Sequence, residues 1–500
     1  MRFDFVLALY AVVIMALTMY AVHAWIMFFY YVRSRRKKPP QAKAIEKFPL
    51  VCVQLPMYNE KFVVERLLRQ ITQLDWPRNR LEIQILDDST DETTEICRRL
   101  VKYYRTQGFR IRLLHRTDRK GYKGGALTEG LARTRASLVA VFDADFLPAP
   151  DFLKRTIPHF DDPKVAVVQS RWEHINHDYS LLTRVQAILL DQHFAIEQQM
   201  RNRFGHFMTF NGTAGVWRKR AIEDAGGWDG NCLAEDVDLS FRAQLKGWKF
   251  IYLNDTRSPS ELPIDVAGFK TQQFRWAKGT IQAGKKLLPS IFSSNLSFLS
   301  KFEAVVHVTA HLVYPLLFIL ALLTLPLLLV RTTSNIDYRS YFVFMSIFSV
   351  GALPYFLLYF FAQKDSYPDW KSRLGAIPFA ISAVMALCVN NSIAVIEGFL
   401  GKASEFVRTP KYNITGHNAS KNKKGYRSKL EPSTFVELGL GIYLTATAVY
   451  ALVTMQLAIL PFIVLYTFGF LYFSFSAISA ALKKDRVSVR EPVYDRAETP

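Results

Sequence analysis

Apolar residues crowd the first 32 positions and the region after about position 300, and the stretch between has ordinary soluble composition. A run long enough to cross a hydrocarbon core must satisfy every backbone N–H and C=O internally, so it folds as a helix. Phe5–Tyr31, about Val305–Val330, Tyr341–Phe361, Phe435–Val453 and Leu457–Ala481 reach that length and give the expected spans. The first is longer than the apolar core of a signal peptide and lacks a small-residue cleavage site, so it is expected to be retained. It ends at Arg33, Arg35, Arg36, Lys37 and Lys38, which places that end in the cytoplasm and the N-terminus outside. A further apolar stretch, 374–400, holds Asn390, Asn391 and Glu397, which are costly against lipid. A crossing there would also put the basic segment 402–429 outside, against the positive-inside tendency. An interfacial or re-entrant helix is the expectation, and it leaves the soluble part and the C-terminal tail together in the cytoplasm.

The formal charge is +20. Much of the excess lies in short runs beside apolar spans, including Lys421, Lys423, Lys424, Arg427 and Lys429, and no nucleic-acid-binding motif accompanies it. A membrane partner is therefore expected, and no nucleic acid. Cys52, Cys97, Cys232 and Cys388 form no close pair, which gives neither a zinc site nor a disulfide framework and suits a reducing compartment.

The expected organisation follows. An N-terminal transmembrane helix (1–32) and a basic linker (33–49) lead into an α/β domain (50–270). Amphipathic interface helices (271–300) carry Gln-Gln-Phe-Arg-Trp (272–276), and two spans follow (301–363). The interfacial or re-entrant helix (374–400) precedes a cytosolic segment (401–432), two more spans (433–482) and a charged tail (483–500) expected to be disordered. Within the α/β domain, strands are expected at Leu50–Leu55, Leu81–Leu86, Phe109–Leu114 and Leu138–Phe142. Helices are expected at Glu60–Leu74, Thr93–Thr106 and Gly124–Thr134. Alternation of this kind predicts a mostly parallel sheet covered on both faces, with ligands at the carboxyl ends of its strands.

The acidic residues fall at those ends. Asp143-Ala144-Asp145 follows the Leu-Val-Ala-Val-Phe strand, where two hard-oxygen ligands can hold Mg²⁺ or Mn²⁺ against a diphosphate; a solvated turn is the alternative. Asp87-Asp88 ends the second strand and can accept from the N–H groups of uracil or guanine, or simply cap the following helix. Pro56, Tyr58 and Glu60, after the first strand, can line the same base pocket. Lys120-Gly-Tyr-Lys123-Gly-Gly offers basic side chains at a Gly-rich helix start suited to phosphate, without the spacing of a P-loop. The small-residue turn Asn211-Gly212-Thr213-Ala214 makes room for substrate. Glu235-Asp236 is either a helix cap or a site where Asp236 takes the proton of an attacking sugar hydroxyl. One base opposite a leaving group implies direct displacement with inversion. Gln272, Arg275 and Trp276 supply an amide, a pyrophosphate ligand and a face for a pyranose, or form a surface helix with an interfacial Trp. The histidines, His115, His174, His177 and His193 among them, are expected to be structural or surface residues.

Taken in order over positions 50 to 290, Asp-Asp, Asp-x-Asp, Glu-Asp and Gln-x-x-Arg-Trp resemble the processive membrane glycosyltransferases of family 2. Phe-Asn-Gly-Thr-Ala-Gly-Val-Trp (210–217), Ala-Gly-Gly-Trp (225–228), Leu-Lys-Gly-Trp-Lys-Phe (245–250) and Glu-Leu-Pro (261–263) resemble the cellulose-synthase-like A glucomannan synthases especially, with the C-group glucan synthases similar and bacterial cellulose synthases more distant. Phe406-Val-Arg-Thr409-Pro-Lys411 resembles a cellulose synthase gating loop, with Arg408 departing from the pattern. The resemblance implies a glycosyltransferase A-type (GT-A) fold beside a multi-span helical bundle. It assigns Asp88 to the nucleotide, Asp143 and Asp145 to the diphosphate and a Mn²⁺ or Mg²⁺ ion, and Asp236 to the base. It also assigns Trp276, with Glu235, Gly212 and Thr213 nearby, to the acceptor end of a growing polysaccharide at the mouth of a transmembrane channel. The implied activity is β-1,4 polymerisation of glucan, mannan or glucomannan from UDP-glucose or GDP-mannose. The alternative is single addition to a lipid, as in ceramide glucosyltransferase; a non-catalytic scaffold or transporter predicts loss of one of the four Asp residues, and all four are present. Accessory subunits are not legible. The compact form, without a plant-type zinc-binding N-terminus, leads to the expectation of a bacterial inner membrane rather than a Golgi one.

Overall fold

The structure is a computed structural model that describes residues 4–34, 47–402, 408–409, 411–414 and 430–482. Its centre is a seven-stranded sheet ordered β3-β2-β1-β4-β6-β5-β7. The strands are β1 (Val51–Met57), β2 (Leu81–Asp87), β3 (Arg110–His115), β4 (Leu138–Val141), β5 (Val165–His174), β6 (Gly215–Arg218) and β7 (Lys249–Ser260). β1 pairs in parallel with β2 and β4, β2 with β3, and β5 with β7. Only β6 runs the other way, antiparallel to β4 and β5. The expected mostly parallel sheet is therefore present, with one reversed strand inserted in it. Near-continuous apolar strands such as Val51-Cys-Val and Leu138-Val-Ala-Val are what burial on both faces demands. One face packs on Val64, Leu67, Leu68 and Phe152, the other on Leu127, Leu131, Ala221 and Leu239.

The topology decides what meets at one edge. The carboxyl ends of β1, β2, β4, β5 and β7 share it, and because β6 is reversed, its entry loop Phe210–Ala214 arrives there too. Beyond β7, the helix Val266–Ser293 starts at Asp265, whose carboxylate accepts the Gly268 N–H at 2.7 Å. It lies between the sheet domain and an apolar bundle.

Among the described residues four helices are long and apolar enough to cross a membrane: Asp4–Ser34, Phe298–Thr333, Ser433–Val453 and Leu457–Leu482. The expected span at 341–361 is instead two helices, Arg339–Ser349 and Leu353–Ser366, joined by a 3₁₀ turn at Val350–Ala352. The 374–400 stretch is a pair, Trp370–Ala386 and Cys388–Leu400, bent by 43°, the shape of a broken span or a re-entrant loop. Its polar residues face protein. The Asn390 side chain donates to the Lys270 carbonyl at 3.1 Å, and Glu397 pairs with Lys278 and Lys402, each at 2.8 Å.

The interface helix is tied to the bundle by a buried ion pair, Lys270 to Glu437 at 2.6 Å, with Ser433 accepting a second Lys270 bond at 3.2 Å. Removing one partner leaves a buried charge alone, at a cost of about 3–5 kcal/mol. Lys270→Met should lower the thermal unfolding midpoint in detergent, and adding Glu437→Leu should recover most of the loss. An unchanged midpoint in the single variant would show the pair to be solvated.

Candidate functional site

A cavity of about 1200 Å³ opens at the shared edge of the sheet. Pro56, Tyr58 and Glu60 reach it from β1, Asp88 from β2, Asp143 and Asp145 from β4, Gly212 from the loop before β6, and Glu261 from the end of β7. Glu235 and Asp236 enter from the first turn of the helix Glu235–Leu245, and Gln272, Gln273, Arg275 and Trp276 from the interface helix. The spacing of Gln272, Arg275 and Trp276, at i, i+3 and i+4, puts them on one helical face. That helix can approach because residue 279 is glycine: a Cβ there would lie 2.8 Å from the Ala234 backbone nitrogen, just ahead of the acidic pair.

Asp87 and Asp88 part company. Successive strand residues face opposite ways, and Asp87 is fully buried, accepting from the Ser89 N–H (3.1 Å) and the Thr94 hydroxyl (2.7 Å), with His115 Nδ1 at 2.9 Å. It is not among the cavity residues. Asp88 is, and it is gripped by Arg116 through two bonds of 2.7 and 2.5 Å. Thr213 is likewise withdrawn from the cavity; its hydroxyl accepts the Asp143 N–H at 2.8 Å and so fixes that residue's backbone. Gly121 and Gly124 in the Lys120–Gly125 segment pack on the backbone of Gly230, and of its two lysines Lys123 is the one that reaches the cavity.

Several of these charges are paired. Lys123 Nζ lies 2.6 Å from Asp143 and donates to the Gly212 carbonyl at 2.9 Å. Lys411 lies 2.8 Å from Asp145, which also accepts the Glu261 N–H at 3.1 Å. Arg408 holds Glu60 bidentately at 2.8 and 2.6 Å, and the Arg275 guanidinium donates to the Thr409 hydroxyl at 2.9 Å. Phe406 lies outside the described residues. Gly212 has a φ of +78°, and a Cβ there would sit 2.9 Å from Asp236 Oδ2, so the glycine makes space for the acid.

Burial sets the proton affinities. It raises Glu235 to about 8, with the Asp236 charge adding to the effect, and raises Asp236 to about 6 against the opposing pull of Lys123. Burial also lifts Glu60 to about 7, against Arg408, and lowers Arg275 to about 10. Burial lowers the proton affinity of Lys123, but Asp143 and Glu235 more than reverse this and it is raised. The two carboxyls titrate as a pair, and the higher proton affinity of Glu235 makes Asp236 the one that ionises first.

Among the described residues no group of three or more His, Cys, Asp or Glu is placed to hold an ion. Asp143 and Asp145 are two hard-oxygen donors on the wall of the cavity, a set that fits Mg²⁺ or Mn²⁺ only if diphosphate oxygens and water complete the shell. Sequence reasoning passed over Arg116 and Arg119, the latter stacked 3.3 Å from the centre of the Tyr58 ring; basic residues in a loop look like solvated surface. Glu261 was visible within Glu-Leu-Pro, but only its place at the end of β7 shows that it faces Asp145.

A parallel α/β sheet with carboxylates on its β4 end and a reversed strand beside it is the GT-A glycosyltransferase fold. A mannosyltransferase from Pyrobaculum calidifontis, solved in complex with GDP-Man and Mn²⁺, shares that fold with a TM-score of 0.51 at 21% identity, over 78% of this chain and 99% of its own. Residues 49–279 match the description Glycosyltransferase like family 2. Glucomannan 4-beta-mannosyltransferase 7 of Arabidopsis thaliana is 41% identical over 288 residues, 54% of this chain and 52% of the relative. The chain thus spans about half the length of the curated relative it matches.

If Asp236 is the base, kcat/KM for transfer should fall below a midpoint near pH 6 as it takes up a proton. Glu235→Gln should leave that acid limb in place and abolish any second limb near pH 8. A flat profile between pH 5 and 7 would contradict the assignment.

Proposed function

We propose that the chain is an inverting membrane glycosyltransferase that extends a β-1,4-linked mannan, glucan or glucomannan from GDP-mannose or UDP-glucose. The observation that carries this is the continuity of the cavity. It runs from Asp143 and Asp236 past Trp276 to Tyr314, Tyr355 and Tyr466 in the helix bundle, and its volume exceeds the roughly 300–1,000 Å³ of an ordinary small-molecule site. A donor does not fill it; a donor and several units of a chain can.

In this reading the acceptor chain stacks on Trp276 and presents a hydroxyl to Asp236. The oxygen forms its bond to the donor's anomeric carbon from the face opposite the phosphate, the proton passes to the Asp236 carboxylate, and the bond from that carbon to the phosphate oxygen breaks. Lys123 and Arg275 meet the charge of the departing nucleoside diphosphate. Asp143 and Asp145 would hold Mn²⁺ or Mg²⁺, which supplies Lewis-acid neutralisation of the same charge; the Pyrobaculum neighbour's Mn²⁺ supports a divalent ion. Asp88, Tyr58 and Pro56 form the nucleotide side. Thr409 and Lys411 cover the donor site as the gating-loop resemblance implies, and Arg408, the departure from that pattern, closes on Glu60. The bent 370–400 pair is read as re-entrant, and the chain leaves through the bundle. The mannosyltransferase names of both relatives favour a mannose donor. The Arabidopsis relative gives no support to a bacterial membrane.

The test uses purified protein in nanodiscs with Mn²⁺ and labelled GDP-mannose and UDP-glucose, separately and together. We expect high-molecular-weight product cut by β-mannanase, and a loss of about 10²–10⁴ in kcat for Asp236→Asn with nucleotide affinity kept. Label found only in extractable lipid would replace polymerisation with single addition.

A further inference from the structure

The wall of the cavity carries a second polar cluster away from the transfer residues, where the sheet domain meets the bundle. The helix that begins at Leu181 becomes a π-helix over Gln192–Glu197 before resuming as Gln198–Arg203. Such turns are rare and concentrate at functional sites. Gln192, His193 and Glu197 all line the cavity. Glu197 accepts from Gln192 at 2.8 Å and from Arg201 at 3.3 Å, and His193 Nδ1 lies 3.1 Å from it. Arg201 continues the chain of charges to Glu303 at 3.7 Å, and Glu303 meets His23 at 3.1 Å on the N-terminal helix.

Two features separate this cluster from a structural tie. A closed network would use up its donors and acceptors, yet Arg201 Nε, Glu303 Oε1 and His307 Nδ1 are buried without a hydrogen-bond partner. Arg201 is 3% and Glu303 1% exposed, and Arg201 and His307 both line the cavity. Buried polar groups with unmet capacity call for a ligand that meets them. The fixed charges are two carboxylates, Glu197 and Glu303, against the one guanidinium of Arg201, so the cluster presents no cationic field to attract a phosphate or a carboxylate. What matches paired acceptors and donors beside the aromatic faces of Tyr314 and Tyr355 is a neutral molecule rich in hydroxyl groups, each able to donate and accept at once.

We propose that this cluster is a specificity-determining subsite for the acceptor, in which Glu197 and His193 read the ring hydroxyls of sugar units already joined. The inference rests on the glycosyltransferase reading above and adds to it the residues that hold the product chain. Glu197 can accept from those hydroxyls because it stays ionised. Burial would raise its proton affinity, but Arg201 and His193 bring it well below the usual carboxylate range.

The experiment compares wild type, Glu197→Gln and His193→Asn as full chains in nanodiscs, with labelled GDP-mannose and β-1,4-mannooligosaccharides of increasing length. The rates of transfer to oligosaccharide and to water are followed separately, together with thermal unfolding. Both variants stay close to the native side chain in size, and His193 is partly exposed. We expect acceptor KM to rise about tenfold, the loss of one charge-assisted hydrogen bond, and the product to shorten. Donor KM, release of mannose to water and the unfolding midpoint should stay at wild-type values. Unchanged acceptor KM in both variants, or donor KM and unfolding shifting in step with acceptor KM, would overturn the subsite while leaving the transferase intact. A wild-type protein that transfers to neither acceptor nor water, from this donor or from UDP-glucose, would overturn the transferase reading and the subsite together.

Discussion

Glu60, Asp143, Asp145, Glu235, Asp236 and Glu261 line one cavity, and carboxylates crowded into a partly dry space persist only if cations or protons meet them. The structure uses both remedies. Lys123, Lys411 and Arg408 pair with Asp143, Asp145 and Glu60, while burial and the neighbouring Asp236 raise the proton affinity of Glu235. Those compensating cations come from separate parts of the chain. Lys123 arises from the first turn of the helix Tyr122–Ala132, and Arg408 and Lys411 from a segment some 350 residues beyond the first strand. The charge balance therefore couples the sheet domain to the segment between the last two groups of helices.

Placing that many acids together needs no special device beyond strand direction. Parallel strands deliver their carboxyl ends to one edge, and the reversal of β6 adds the loop at Phe210–Ala214 to the same edge. Several residues there have positive φ: Asn59 at 56°, Tyr122 at 46° and Ala214 at 57°. Backbone strain of this kind survives where surrounding structure fixes it and is concentrated at functional sites. Here it brackets the turns that carry Glu60, Lys123 and Gly212.

Much of this was legible from the residues alone, for identifiable reasons. The alternation of apolar strands with amphipathic helices through Val141 is strong, and the acids at strand ends stand out against it. The sheet's second half was less readable: β6 has four residues, and β5 and β7 bury Gln169, Ser170, Arg171, Ser258 and Ser260, which sequence pattern assigns to the surface. Asp87 and Asp88 cannot be told apart without knowing which face of β2 is open. His193 looks like any isolated histidine until the π-helix sets it beside Glu197. The break in the helix at Val350–Ala352 is marked by Pro354, which has no N–H to offer the Val350 carbonyl, but the local pattern does not show that Gly351 approaches Ala21 of the N-terminal helix so closely that a Cβ would lie 2.7 Å from that residue's own. Tertiary contact, invisible in the local pattern, decides such positions.

If Asp236 acts from the face opposite the leaving diphosphate, with no covalent intermediate, the anomeric configuration of the new bond records it. Product made from an α-linked nucleotide sugar can be examined by the one-bond carbon–proton coupling at its anomeric centre. The account predicts β linkages throughout. An α-linked product would mean retention, and would contradict the role given to Asp236 and to the geometry around it.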